Sequence, residues 1–457
     1  MKFEWPKRIE NNWFGLRVGV LFIAAALLVG SLLGLCLFPY LPIRLARATP
    51  TPSPIQLTAT LEALEFPTPT VEGEAITPTP LAETPTPSLQ TPTPSPTSGP
   101  MPTPTPTFPP PPRPPRMNSP EYGMQAFLWW RPETAWKDLD LIKGAGFTWV
   151  KQVFAWVDIE GGGKGVYDWS HTDRIVEDTN SRGLNILAAV FKPPAWVGPN
   201  YPASGAPNNY RDFTDFLTAL ATRYKGRIRA YSVWNEPNLS REWGGPPDPE
   251  GYVALLKVAY QAIKAADPNA LVITAGLSPT TRWDNVAMPD VEYFKRIYQA
   301  GAKPYFDLLG AHATGWKAPP EMDPAQVASD PAYNNNDPSP VYLRRVYCFR
   351  HVEDIRQIMV DFGDADKQIA VLEFGWTSDP VHPEYSWFAV TEEEKGEYLV
   401  HAYQYAKQHW ARWIAVMTLI YISDPDWTQD HEQYWWAITD PDGSPRPAYV
   451  MLFQMTK

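Results

Sequence analysis

Eight short apolar runs, each bounded by turn-forming residues, recur after position 117 and constrain the architecture of this chain more than any other feature. They are Tyr122–Leu128, Thr148–Phe154, Leu184–Phe191, Ile228–Trp234, Ala270–Ala275, Phe306–His312, Gln368–Phe374 and Trp413–Tyr421. Their length and apolar content suit buried strands, and the stretches between them carry helical periodicity. Asp248-Pro249-Glu250 reads as a helix start, with Asp as N-cap and Pro in the first turn, ahead of Val253, Leu256, Ala259 and Ile263 on one face. Thr391 to Glu394 has capping-box spacing ahead of Tyr398, Ala402 and Tyr405. Successive runs start 26 to 62 residues apart, as repeated βα units would. Eight such units within residues 117–457 predict an α/β fold, a (β/α)8 TIM barrel. A doubly wound open sheet is the rival, but no Gly-rich phosphate loop follows the first run. The longest connection, 313–340, contains PAYNNNDPSP and is expected to be an irregular insertion above the barrel.

The preceding sequence cannot extend that barrel. Residues 18–38 are uncharged and mostly apolar, and at about 1.5 Å per residue they nearly match a hydrocarbon core of about 30 Å. Lys2, Lys7, Arg8 and Arg17 lie before this segment, and Arg44 and Arg47 after it. The positive-inside rule then makes 1–17 a short cytoplasmic segment, 18–38 a single transmembrane anchor, and the rest extracytoplasmic. A cleaved signal peptide, with secretion, is the alternative, since Ala46-Arg47-Ala48 offers a cleavage site. Residues 49–116 hold 22 prolines in TPTP and TPSP repeats. Such a segment has too little apolar side chain to fold and favours extended polyproline II, so a disordered Pro/Thr-rich spacer is expected.

Net charge is −11, with 31 basic and 43 acidic residues in 117–457, which argues against a nucleic-acid partner. Cys36 and Cys348 are the only cysteines, so no disulfide framework is expected. The histidines show no H-x3-H-type spacing, and neither a catalytic metal nor another cofactor is expected. Asp424, Asp426 and Asp430 lack the EF-hand pattern and suit a solvated loop. Nothing points to an obligate protein partner.

On a barrel of this kind, chemistry belongs at the C-terminal ends of the strands. Two carboxylates stand there: Glu236, ending the fourth run in YSVWNEPN, and Glu373, near the end of the seventh in IAVLEFGW. An acid finishing a buried apolar strand is costly unless it is paired or used. One such Glu could be a satisfied buried ion pair, but two on the same face point to chemistry.

Trp234-Asn235-Glu236-Pro237 with Glu373-Phe374-Gly375 resembles the retaining glycoside hydrolases of clan A. The order of Trp156 to Glu160, Gly165 to Ser170, and Pro193-Pro194-Ala195-Trp196 is most similar to the family 39 and family 5 branches. Asp440-Pro441-Asp442-Gly443 followed by Pro447-Ala448-Tyr449 fits the ending of such barrels. The resemblance covers about 117–457. It implies Glu236 as acid/base, Glu373 as nucleophile, and Asn235 as a partner of the substrate 2-hydroxyl. Retaining hydrolysis needs two carboxyl groups about 5–5.5 Å apart. While the nucleophile is ionised its charge favours a protonated acid, and once it is esterified that carboxyl can act as base.

Of 20 tryptophans, 18 lie after position 117. Trp129, Trp130, Trp156, Trp196, Trp234, Trp376 and Trp427 fall at or past run ends, where aromatic faces could stack on sugar rings. Trp156, Trp376 and Trp427 are the preferred platforms; Trp149, Trp410 and Trp413 are expected to be structural. Clan A enzymes often carry Arg in the second strand, where this chain has Lys151, to which no role is assigned. The sixth-strand His is often followed two residues later by a Tyr that supports the nucleophile. Here His312-Ala313-Thr314 has none, so support is expected from elsewhere, with Tyr421 as the candidate; His312 itself either lines the site or is a satisfied buried histidine. The expected protein is a membrane-anchored extracytoplasmic glycosidase acting on a β-linked oligo- or polysaccharide by double displacement. The alternatives are a non-catalytic carbohydrate-binding surface protein on the same barrel, or a hydrolase remodelling the cell's own exopolysaccharide.

Overall fold

A computed structural model describes residues 116–129, 131–198 and 205–457. The cytoplasmic segment, the anchor, Trp130 and all of the 49–116 spacer except Arg116 lie outside the described residues. Among the described residues no helix is long and apolar enough to cross a membrane.

All eight expected runs are strands: β1 (Glu121–Gln125), β2 (Trp149–Val153), β3 (Asn185–Val190), β4 (Ala230–Val233), β5 (Leu271–Thr274), β6 (Leu308–Thr314), β7 (Gln368–Gly375) and β8 (Ile414–Leu419). They form a closed barrel in chain order, every neighbouring pair parallel, with β8 returning to β1 at Gly123↔Thr418. Parallel neighbours require crossovers. The long helices that follow the strands are α1 (Pro132–Gly144), α2 (Ser170–Ser181), α3 (Tyr210–Arg223), α4 (Pro249–Ala266), α5 (Asp290–Gln299), α6 (Val352–Asp361), α7 (Glu392–His409) and α8 (Pro447–Gln454).

The helix starts form as their sequences dictate. Asp248 accepts the Gly251 N–H at 2.9 Å, with Pro249 opening α4. At α7, Thr391 accepts the Glu394 N–H at 3.1 Å while Glu394 accepts the Thr391 N–H at 2.8 Å, so two otherwise unpartnered donors are satisfied reciprocally.

Two cores result from the alternation of side chains along each strand. Trp149, Leu187, Leu271, Ile273, Leu372 and Val416 belong to the small cluster of inward positions. A larger layer, including Leu139, Phe213, Phe216, Leu255, Val371, Phe374 and Tyr403, packs strands against helices. The 313–340 connection is more ordered than its sequence suggests. It contains helical turns at Pro324–Ser329 and Pro331–Asn334, capped by Asp323 and Asp330. Val327 packs with Ala318 and Cys348 in a small core of its own, which fixes the segment. Asp323-Pro324 and Asp330-Pro331 start these turns, each with Pro at the first helical position.

One irregularity positions the site. The β6–β7 register runs evenly to Ala311↔Val371, then shifts so that His312 faces Glu373. Leu372 is thereby the extra residue of a β-bulge. Ala370 and Leu372 lie in the inner cluster while Val371 and Phe374 lie in the outer one. Strict alternation would send Glu373 outward; the bulge lets Leu372 and Glu373 both face the barrel.

Candidate active site

Glu236 sits just past β4, where the backbone leaves the extended conformation. Trp234 has φ +73° and Glu236 φ +39°, values that cost a non-glycine residue about 1–3 kcal/mol each. The surroundings hold this turn in place. Trp234 is buried, and its indole N–H donates to the Glu242 carbonyl at 3.0 Å. The Glu236 N–H donates to the Gly276 carbonyl at 3.0 Å, which fastens the turn to the end of β5. Asn238 is fully buried. Its amide donates to the Ser278 and Met288 carbonyls at 2.9 and 3.0 Å and accepts the Ser278 N–H at 2.9 Å.

The β7 bulge brings Glu373 to the same space. One atom each from Glu236, His312 and Glu373 lie within 4.8 Å of one another. His312 Nδ1 is 3.0 Å from Glu236 Oε1 and 3.8 Å from Glu373 Oε2, so the imidazole bridges the two carboxylates. It lies over Gly276, where a side-chain carbon would come within 2.2 Å of the ring; only glycine leaves room for it there.

Lys151, on β2, completes the cluster. Its buried ammonium lies 2.6 Å from Glu373 Oε1. Burial by itself pushes the Glu373 carboxyl up, but the charges of Lys151 and His312 and the Lys151 hydrogen bond outweigh it, so the group is held below the usual carboxylate range. The Lys151 side chain is 3 % exposed and that of Glu373 23 %, so the pair is buried on one side and open to the mouth on the other. Glu373 thus takes a hydrogen bond and a counter-charge from Lys151, the residue whose role the sequence left open. Tyr421 stands close by: burial and then the charges of Glu373, Glu432 and Glu236 push its phenol well above its ordinary range.

A third carboxylate borders the cleft. Glu242 is raised by burial and by the charge of Glu236, with Arg241 and Lys192 acting in the opposite sense. The Arg241 guanidinium, largely exposed, lies 3.6 Å from Glu236 Oε2 and 3.7 Å from Glu242 Oε1.

The aromatic expectations need revision. Trp156 and Trp376 are fully buried, with their indole N–H groups donated to Glu160 and to the Ala318 carbonyl, so neither offers a face to a sugar. Trp156 follows β2, but its side chain turns into the outer core against Phe213 and Phe216; position at a strand end does not fix the direction of the side chain. Trp427 remains half-exposed, packed edge-on to Phe127 and Tyr421. Asn235, half-buried, lies between Trp234 and Glu236. Trp316, Trp387, Phe388 and Trp436, which stand out in no motif, cluster with Tyr421 and Ile420. They come from three loops, and no local spacing connects them. Asp426 is paired with Arg131 at 2.6 Å, and Asp424 accepts the Asp426 N–H.

Glu236, His312 and Glu373 are the group among the described residues whose spacing could hold a metal ion. The Lys151 ammonium already supplies a cation at Glu373, so the donor set is better matched to a protein charge than to a divalent ion.

A closed parallel barrel with two carboxylates facing each other at the C-terminal ends of β4 and β7 defines a glycoside hydrolase of clan A. The sequence profile of the cellulase family matches residues 115–343, and the chain belongs to that family, glycosyl hydrolase family 5. The matched segment contains Glu236 and ends before β7. The chain is similar to a beta-xylosidase of Geobacillus stearothermophilus, 29 % identical over 140 residues that cover 26 % of either protein. Its fold is similar to that of a family 39 glycoside hydrolase from Bacteroides cellulosilyticus WH2, with a TM-score of 0.53 at 19 % identity, over 74 % of this chain and 63 % of that one. It is also similar to that of a glucosidase from Croceicoccus marinus, with a TM-score of 0.52 at 15 % identity, over 74 % of this chain and 67 % of that one. At these identities the likeness to the solved structures concerns the barrel alone.

Proposed function

We propose that this protein hydrolyses O-glycosidic bonds of a β-linked oligo- or polysaccharide with retention of anomeric configuration. The observation that carries the reading is the approach of Glu236 and Glu373 to within 4.8 Å. Inverting enzymes keep their carboxyl groups about 6.5–9.5 Å apart to admit a water, and retaining ones about 5–5.5 Å. The beta-xylosidase similarity supports a β linkage.

In the first step a Glu373 oxygen attacks the anomeric carbon while Glu236 donates its proton to the departing glycosidic oxygen, giving a glycosyl ester and a free alcohol. In the second, water attacks the same carbon, Glu236 takes a proton from it, and the ester bond breaks to return the Glu373 carboxylate. Lys151 keeps Glu373 ionised for the attack, and its charge is again uncompensated when the ester forms, which favours release of the carboxylate. In this reading Asn235 hydrogen-bonds the sugar 2-hydroxyl, and Tyr421 and Trp427 form part of the wall around the ring.

The proposed setting is the outer face of a membrane, with 18–38 as anchor and 49–116 as spacer. This rests on the sequence pattern. Loss of the domain on protease treatment of intact cells, with recovery in the membrane fraction otherwise, is the expected result; a protected or freely soluble domain would contradict it.

The activity is tested with full-length protein in detergent on aryl β-glycosides and β-linked polysaccharides. Glu236→Gln and Glu373→Gln are each expected to lower turnover by several orders of magnitude. Unchanged hydrolysis by Glu373→Gln would remove it as nucleophile, and an inverted anomer in the NMR of the first product would remove the double displacement.

A further inference from the structure

The loop after β5 is built onto the loop that carries Glu236, and it holds a tryptophan out to solvent. Asn238, two residues after Glu236, pins both stems of this loop through Ser278 and Met288. The Met288 N–H returns a bond to the Asn238 carbonyl at 2.9 Å, and the Ser240 N–H donates to the Val286 carbonyl at 2.8 Å. Leu239 and Ala287 form a short antiparallel bridge. The loop tip is ordered as well. Asp284 accepts the Val286 and Ala287 N–H groups and an Arg282 N–H, while Thr281 donates to Asp337 of the β6 insertion at 2.7 Å. Within this fixed turn Trp283 is 50 % exposed.

A large apolar ring left in water by a rigid turn loses burial without gaining freedom. Its place has a direction: Glu236 protonates the leaving oxygen, so the loop clamped to Glu236 borders the leaving-group side of the cleft. We propose that Trp283 is a sugar-stacking platform on that side, and that the substrate is a glycan chain continuing beyond the scissile bond. This rests on the hydrolase reading above and extends it, from the cleaved linkage to the polymer on its reducing side.

The test compares full-length wild type, Trp283→Ala and Trp283→Phe on β-linked polysaccharides and on the matching aryl glycosides, which have no sugar beyond the cleaved bond. The ratio of kcat/KM on polymer to kcat/KM on aryl glycoside is expected to fall about tenfold in Trp283→Ala and to recover in large part in Trp283→Phe. An unchanged ratio, or equal losses on both substrates, would overturn the platform. If wild type hydrolyses nothing, the hydrolase reading fails separately, and retardation in polysaccharide-containing native gels decides the platform. Weaker retardation of Trp283→Ala would support a glycan-stacking surface, and equal retardation would overturn it.

Discussion

The Lys151 ammonium lies 2.6 Å from Glu373 Oε1, so the carboxylate at the end of β7 takes its counter-charge from a strand across the barrel. The pair explains why an acid can stand at the end of a buried apolar strand, and it determines the ionisation of the site.

Lys151→Met removes that cation and leaves burial as the dominant influence on Glu373. Because Glu373 is held below its ordinary range, wild-type activity should persist into acid and decline as pH falls through the lowered value. In the variant the acid limb of kcat/KM should move to higher pH. The maximum should fall about 100-fold, as on loss of one preorganised electrostatic group. A pH–rate profile checks both; an unmoved limb would separate Lys151 from the nucleophile.

Dialysis against EDTA is expected to leave kcat/KM unchanged, since Lys151 already supplies positive charge beside the Glu236–His312–Glu373 group. Loss of activity that zinc or magnesium restores would assign the cluster to a metal instead.

Away from the site, His351 is buried between Asp290 and Asp354, 2.8 and 3.2 Å away. Burial alone would lower its pKa, but the Asp290 charge and hydrogen bonds to both acids raise it to about 10. A folded value above the unfolded one of about 6.5 stabilises the protein fully below that pH, and the contribution is lost as pH rises through about 10. Wild-type Tm should therefore decline from neutral to alkaline pH. His351→Gln should flatten that decline and cost about 3–5 kcal/mol near neutrality, through the buried Asp290 left without its cation, while Asp354 keeps Arg345 at 2.7 Å. Thermal melts across pH check both slope and offset.

Asn238→Ala leaves the buried Met288 carbonyl, and the partly buried Ser278 carbonyl and N–H, without their side-chain partner. It should destabilise by about 2–3 kcal/mol and loosen the β5 loop. Denaturant melts read the first, and faster amide exchange confined to 278–288 reads the second.

The barrel was legible because eight apolar runs and their helix caps are local signals. So were the two carboxylates, since an acid ending an apolar strand stands out wherever it occurs. The direction of side chains after the strands was not legible. Trp156 and Trp376 share the strand-end position of a platform yet turn into the core, and only packing against Phe213, Phe216 or Ala318 reveals this. Lys151 was visible as a departure from the family pattern, but its partner is 222 residues away. Trp283 carried no signal, because its meaning depends on a loop pairing that Asn238 makes across 40 and 50 residues.

The bulge at Leu372 makes one position in this protein sensitive to count as well as to chemistry. Adding a single residue between Leu372 and Glu373 would set the newcomer opposite His312 and turn the Glu373 side chain toward the helices, with every catalytic group still encoded, whereas removing Leu372 would keep Glu373 opposite His312. Substitution scanning would pass over this dependence; only variants that change the length of the strand expose it. A relative one residue longer here would have both glutamates in its sequence and one of them facing the wrong layer.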